Sequence, residues 1–223
     1  MTRGVIYVYW GNKYEDELQR SIASLKRHHP ELPYKIVKLP DNSTLMDKAA
    51  MMDYSPYDTT LYLDTDTVVL DRLDYGFEKA EKFGLACCIC ECPWARRYGE
   101  FSGDIVEYNT GVLFFTKKAK PIFDAWKEHS DGRVDSSIRF YAGNQVLVMK
   151  SNDQGSFVSA MEQTGFNPFV LPLNWNFRPQ WHKTFFGPVK VWHDHSDVPD
   201  SIHFWNEGQV LDESIVRYTG DRK

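Results

Sequence analysis

The order of elements in the first 64 residues decides the fold class. VIYVYW (5–10) is an apolar run that reads as a strand, EDELQRSIASLKRHH (15–29) carries Leu18, Ile22 and Leu25 at helical spacing until Pro30 ends it, and YKIVKL (34–39) is a second strand. A helical segment, TLMDKAAMMDY (44–54), then leads to a third strand, TLYLD (60–64). Strands alternating with helices build a parallel sheet with crossover helices, so the expected fold class is α/β with a mostly parallel central sheet.

The third strand ends in an unusual place. LYLDTDTVVL (61–70) delivers Asp64 and Asp66 on either side of Thr65, and in extended chain both carboxylates point to the same side. Two like charges so placed repel unless a cation or a proton sits between them. Ligands of open α/β sheets bind beyond the carboxyl ends of the strands, which is where this pair lies.

Further along, LDYGFEKAEKFG (73–84) reads as a short helix, NTGVLFFTK (109–117) as an apolar strand and KAKPIFDAWKEH (118–129) as a helix with Pro121 in its first turn. The last third is richer in aromatic residues and proline and less periodic. No internal repeat or linker divides the 223 residues, and 42% hydrophobic content suits one domain with a substantial core. The net charge of −5, without a Lys/Arg-rich run, argues against a nucleic acid partner. No stretch is apolar for long enough to span a bilayer, and MTRGVIYVYWGN at the start lacks a signal-like apolar core. Cys87, Cys88, Cys90 and Cys92 crowd into LACCICEC, too close for a spread disulfide framework. A buried strand suits them better than half a zinc site, and a reducing cytoplasm is the expected location.

Several segments, in order, are similar to those of GT-A-type glycosyltransferases of the glycogenin-like and galactosyltransferase-like kind (family 8-like). LYLDTDTVVL resembles their h-h-h-h-D-x-D signature, NTGV (109–112) their N-[ST]-G-V, NQVLV (144–148) their D-Q-x-x-[LF], LPLNWN (171–176) their L-P-x-x-[YF]-N, and VWH (191–193) the strand carrying their metal-binding histidine. The resemblance implies one GT-A, Rossmann-like domain over 1–223, with a nucleotide-binding half at 1–117 and an acceptor-side half carrying the metal histidine at 118–223. It implies transfer of a hexose, with retention, from a nucleotide diphosphate sugar, UDP-linked, to an acceptor hydroxyl. Mn²⁺ or Mg²⁺ is the implied cofactor, held by Asp64, Asp66 and His193, a mixed oxygen and nitrogen set suited to Mn²⁺. Tyr14, Lys48, Asp64, Thr65, Asn109, Thr110 and Gly111 are the implied nucleotide-sugar contacts, and Asn144 and Gln145 the implied catalytic pair. The V-x-H pattern favours His193 over His195 as the ligand, while a solvated surface position remains the alternative for Lys48.

Two departures accompany the resemblance. Asn144 puts an amide where a carboxylate is expected, and the H-x-x-G-x-x-K phosphate clamp is missing after His193, leaving Arg96, Arg97, Arg178 or Lys190 to substitute. The amide favours one rival, a sugar-nucleotide or glycan-binding module without turnover. DTDTV also suits the nucleophile motif of haloacid-dehalogenase-type phosphatases, but there the motif follows the first strand, and here a strand, helix, strand unit precedes it.

Overall fold

A computed structural model describes residues 1–91, 105–131, 138–149, 152–185, 187–208 and 217–218. Its elements run β1 (Arg3–Tyr9), α1 (Glu15–His28), β2 (Tyr34–Lys38), α2 (Met51–Tyr54), β3 (Thr59–Leu63), β4 (Thr67–Val69), α3 (Asp74–Phe83) and β5 (Leu85–Ile89). They continue through β6 (Tyr108–Thr116), α4 (Lys120–Ser130), β7 (Ile138–Ala142), β8 (Gln145–Met149), α5 (Asp153–Thr164), β9 (Phe169–Val170), β10 (Thr184–Phe185), β11 (Val191–His193), α6 (Asp200–Glu207) and β12 (Arg217–Tyr218). The six-stranded sheet has the order β2-β1-β3-β6-β5-β9. β1 is parallel to β2 and β3, and β5 to β9, while β6 runs antiparallel to both its neighbours, so a single strand opposes the rest of a mostly parallel sheet.

Alternate residues of each inner strand feed the two faces of this sheet. Val5, Tyr7, Leu61, Leu63 and Phe114 point into a core shared with Leu18, Ile22 and Leu25 of α1 and Phe77 of α3. Ile6, Val8, Tyr62 and Phe115 point the other way, against Phe123 and Trp126 of α4 and Phe157 of α5. Burial on both sides is why these strands read as unbroken apolar runs. The cysteine strand is one of them: Cys87 and Cys88 are buried on opposite faces, and burial pushes both thiols well above their ordinary pKa. Cys92 lies outside the described residues.

One segment differs from the sequence reading, and two, in or bordering the less periodic last third, are elements that reading does not assign. A 3-10 turn, Leu45–Ala50, replaces most of the helix expected at 44–54. Thr44 and Asp47 form a capping box, Asp47 Oδ2 accepting the Thr44 N–H at 2.7 Å, and the turn so started drives Lys48 and Ala49 inward. α5 has no polar face to betray it, because every residue from Asp153 to Met161 is buried. Residues 138–149 form a two-stranded hairpin, β7 with β8.

The chain leaves β1 toward β2 on one side and reaches β3 on the other. A crevice therefore opens beyond the carboxyl ends of β1 and β3, the topological switch point of the sheet. Outside the sheet, β4 pairs antiparallel with β11, and that register sets His193 opposite Thr67, next to Asp66. No helix among the described residues is long and apolar enough to cross a membrane.

Candidate metal and nucleotide site

The crevice is a cleft of about 390 Å³ lined by Val8, Tyr9 and Trp10 at the end of β1, by Asp64, Thr65 and Asp66 beyond β3, and by Tyr14, Lys48 and His195. Asp64 and Asp66 of this lining meet His193 beside it, and ligand atoms of the three lie within 4.8 Å of one another. His193 Nε2 is 3.3 Å from Asp66 Oδ1 and 3.8 Å from Asp64 Oδ2. His195 adjoins this trio without joining it, with Nδ1 3.0 Å from Glu17 Oε1 and 3.8 Å from Asp66 Oδ2.

A chain of hydrogen bonds fixes how His193 presents its ring. The backbone N–H of Gly111 donates to Asn109 Oδ1 at 2.9 Å, so that oxygen must be an acceptor. Asn176 Nδ2 donates to the same oxygen at 2.7 Å, which turns Asn176 Oδ1 toward His193 Nδ1, also at 2.7 Å. Nδ1 therefore carries a proton, and in the neutral ring the Nε2 lone pair faces the two carboxylates. The motif segments NTGV and LPLNWN thus meet in space and set the tautomer of the third.

The electrostatics point the same way. Burial alone would disfavour the imidazolium, but Asp66, with Asp64 behind it, outweighs burial and raises the His193 pKa above its ordinary value. Burial would raise the Asp66 carboxyl, yet contact with His193 holds it well below the usual carboxylate range. The trio gathers positive charge, as a proton on His193 or as a cation. A divalent ion fits these donors: two hard oxygens and one oriented nitrogen converge, and Gly111 leaves them room, since a Cβ there would strike His193 Cε1 and lie 2.7 Å from Asp64 Oδ2.

Lys48 is not a solvated surface residue. Its ammonium is 3% exposed and sits 2.9 Å from Asp64 Oδ1 and 3.0 Å from Asp153 Oδ2. Burial opposes its charge, but the two carboxylates raise its pKa well above the ordinary lysine value. Asp64 Oδ1 also accepts the Tyr62 hydroxyl at 2.6 Å, while Oδ2 accepts Lys48 Nζ at 3.2 Å and lies 3.8 Å from His193 Nε2.

Asn144 and Gln145 are not brought to this cluster. They lie exposed at the turn between β7 and β8, and the hydrogen bonds that organise the site run instead to Asp153 and Gln154. Thr110 Oγ1 donates to Asp153 Oδ2 at 2.6 Å, and Asn109 Nδ2 donates to Gln154 Oε1 at 2.8 Å. The signal was present in the chain, since DQGSF (153–157) fits D-Q-x-x-[LF] without substitution whereas NQVLV (144–148) does not. Of the basic residues that could replace the phosphate clamp, Arg178 is paired with Glu91 at 3.2 Å and Lys190 with Asp71 at 2.6 Å; Arg96 and Arg97 lie outside the described residues.

A second acidic group, His29, Glu31 and Asp74, is differently built. His29 Nε2 accepts the Leu73 N–H at 2.7 Å while Nδ1 faces Glu31 at 3.0 Å, so both ring nitrogens are engaged in holding the start of α3.

No family model and no curated protein matches the sequence. Solved structures do match. Mouse xyloside xylosyltransferase 1 in its apo form superposes with a TM-score of 0.56 at 12% identity, over 89% of this chain and 100% of that one. The galactosyltransferase LgtC, in complex with donor and acceptor sugar analogues, gives 0.56 at 14% identity, over 84% of this chain and 86% of its own. The chain has the GT-A glycosyltransferase fold. An active-site glutamine-to-glutamate mutant of LgtC also matches, with a TM-score of 0.50 at 14% identity over 98% of this chain and 88% of its own. In this GT-A fold the acidic pair follows β3, the third strand in chain order, beside the switch point.

Proposed function

We propose that the protein is a divalent-metal-dependent glycosyltransferase that moves a hexose from a UDP-linked donor to an acceptor hydroxyl on a glycan, protein or small molecule. The observation that carries this reading is the convergence of Asp64 and Asp66, which line the switch-point cleft, with an oriented His193. A cation held there, Mn²⁺ or Mg²⁺, would neutralise the charge that develops on the departing diphosphate. In the transfer, the bond between the anomeric carbon and the diphosphate oxygen breaks and a bond to the acceptor oxygen forms. The acceptor's proton leaves with the diphosphate. The retaining outcome is the one the sequence resemblance implies.

The residues of the chain divide the remaining work. Lys48 bridges Asp64 and Asp153, offsetting one of their two charges, and so ties the end of β3 to α5 at the place proposed for the sugar. Gln154 spends one lone pair on Asn109 and one amide hydrogen on Cys90 Sγ at 3.2 Å, which leaves it one N–H and one lone pair for the sugar. A glutamine is an active-site residue in LgtC, and Gln154 is the one this site organises. The proposal accordingly moves the catalytic pair from Asn144 and Gln145 to Asp153 and Gln154. With that move the amide-for-carboxylate departure disappears, and with it the feature that favoured a binding module. The phosphatase alternative is disfavoured by position, because Asp64 ends β3 and not β1.

The reading keeps the nucleotide-binding half at 1–117 and the acceptor-side half at 118–223, joined through the Lys48–Asp153 pair. The buried thiols Cys87 and Cys88 support a cytoplasmic setting.

UDP release from a panel of UDP-hexoses with Mn²⁺ tests this assignment. Gln154→Ala is expected to lower release by about a hundredfold, as loss of one transition-state contact does, and Gln145→Ala to leave it within about twofold. The reverse result would return the role to the hairpin. A wild-type protein that binds every UDP-hexose and turns over none would make it a binding module.

A further inference from the structure

We propose that the loop after His193, which lacks the phosphate clamp, carries the second face of a nucleobase clamp: His195 stacks on the base of the donor nucleotide opposite Tyr14. The inference rests on the nucleotide-donor reading above and adds the residue that grips the base.

Tyr14 and His195 both line the cleft that holds Asp64, Thr65 and Asp66. Their rings are 17° from parallel with centroids 6.0 Å apart. The orientation is imposed from α1. Glu17 Oε1 holds His195 Nδ1 at 3.0 Å, while Arg20 holds the same loop through Asp197 Oδ1 at 2.8 Å and the Asp194 carbonyl at 3.4 Å. Tyr14, Glu17 and Arg20 follow at three-residue spacing, so one face of the helix start positions both rings.

A planar ring between two others needs two van der Waals contacts, a separation of about 7 Å. The observed 6.0 Å is short of that by roughly 1 Å. His195 is the ring able to yield, because its side chain is 63% exposed on a surface loop, whereas Tyr14 is half-buried at the start of α1, a helix anchored in the core by Leu18, Ile22 and Leu25. His195 Nδ1 is also 3.8 Å from Asp66 Oδ2, so the clamp adjoins the cation trio and one nucleotide reaches both. The ligand class is therefore a planar heteroaromatic base attached to a diphosphate.

Calorimetric titration of the full chain with Mn²⁺ and either UDP or inorganic pyrophosphate separates base from phosphate. His195→Ala is expected to weaken UDP about tenfold, in the range of stacking on one aromatic side chain, and to leave pyrophosphate unchanged. His195→Phe, which keeps a flat ring and no ligand atom, is expected to bring UDP back to within about threefold of wild type. Equal losses for UDP and pyrophosphate would overturn the clamp in favour of a phosphate or metal contact. So would an unchanged UDP affinity in His195→Ala, or a His195→Phe variant as weak as the alanine one. A wild-type protein that binds pyrophosphate with Mn²⁺ but gains nothing from the uridine would also overturn the clamp, whereas one that binds neither would overturn the donor reading itself.

Discussion

Asp66→Asn is expected to weaken Mn²⁺-dependent UDP binding by at least about a hundredfold while the fold survives, because the change removes a charged oxygen ligand and keeps the shape. The backbone contact at this point, Asp194 N–H to Asp66 O at 3.1 Å, is untouched by the substitution. The variant should also change the pH response. In the wild type a proton on His193 competes with the cation, and Asp66 raises that proton's pKa, so Mn²⁺ affinity should climb as pH rises through a value above the ordinary 6.5. Without the Asp66 charge the proton is held less tightly, and the residual affinity should level off at lower pH. In the metal-free protein the signs for stability follow the same pair. The raised His193 contributes stability below its unfolded pKa of about 6.5 that is lost as pH rises through the folded value; the depressed Asp66 contributes stability above about 3.9 that is lost as pH falls through its own. Calorimetric titrations between pH 6 and 8, with circular dichroism of the variant, test both halves.

Lys48→Met should cost about 3–5 kcal/mol of folding stability, the range for breaking a buried ion pair from one side. The side chain is replaced by one of similar length, but Asp64 and Asp153 are left facing each other without their shared cation. For a chain of this size that corresponds to a loss of roughly 10 °C in Tm, read by thermal unfolding. A neutral effect would mean that the lysine is solvated and the two carboxylates are separately compensated. Lys48→Arg keeps the charge and should recover only part of the loss, because a planar guanidinium does not fit the place of a compact ammonium.

Much of this was legible in the chain, for identifiable reasons. The inner strands are buried on both faces, so their apolar runs could be found, and the polar pair that ends LYLDTDTVVL stood out against them. The pairing of α1 with the sheet followed from three residues at helical spacing. What escaped was burial without pattern. α5 has buried Asp153, Gln154, Ser156 and Ser159 mixed among its apolar residues, so no amphipathic period marks it. The N-Q pair nine residues earlier also resembles the D-Q element because it stands before an apolar run, and in the fold that run belongs to an exposed hairpin. The resemblance names Lys48, but its burial is not legible: sequence cannot say that a lysine is buried until its two carboxylates, one of them 105 residues away at Asp153, are seen beside it. A motif favours His193 over His195, but what turns its ring toward Asp64 and Asp66 is the β4–β11 register and Asn176, neither of which local spacing reveals.

In the proposed function, the Asp64, Asp66 and His193 trio recruits a divalent cation on which a nucleotide diphosphate sugar is bound and then cleaved. Proton NMR of the purified protein incubated with a panel of UDP-hexoses, once with Mn²⁺ and once with EDTA, addresses it most directly. The expected result is slow release of UDP and free sugar from at least one donor with Mn²⁺ and none with EDTA, the sugar first appearing in the donor's own anomeric configuration. Release that proceeds equally in EDTA would contradict the account.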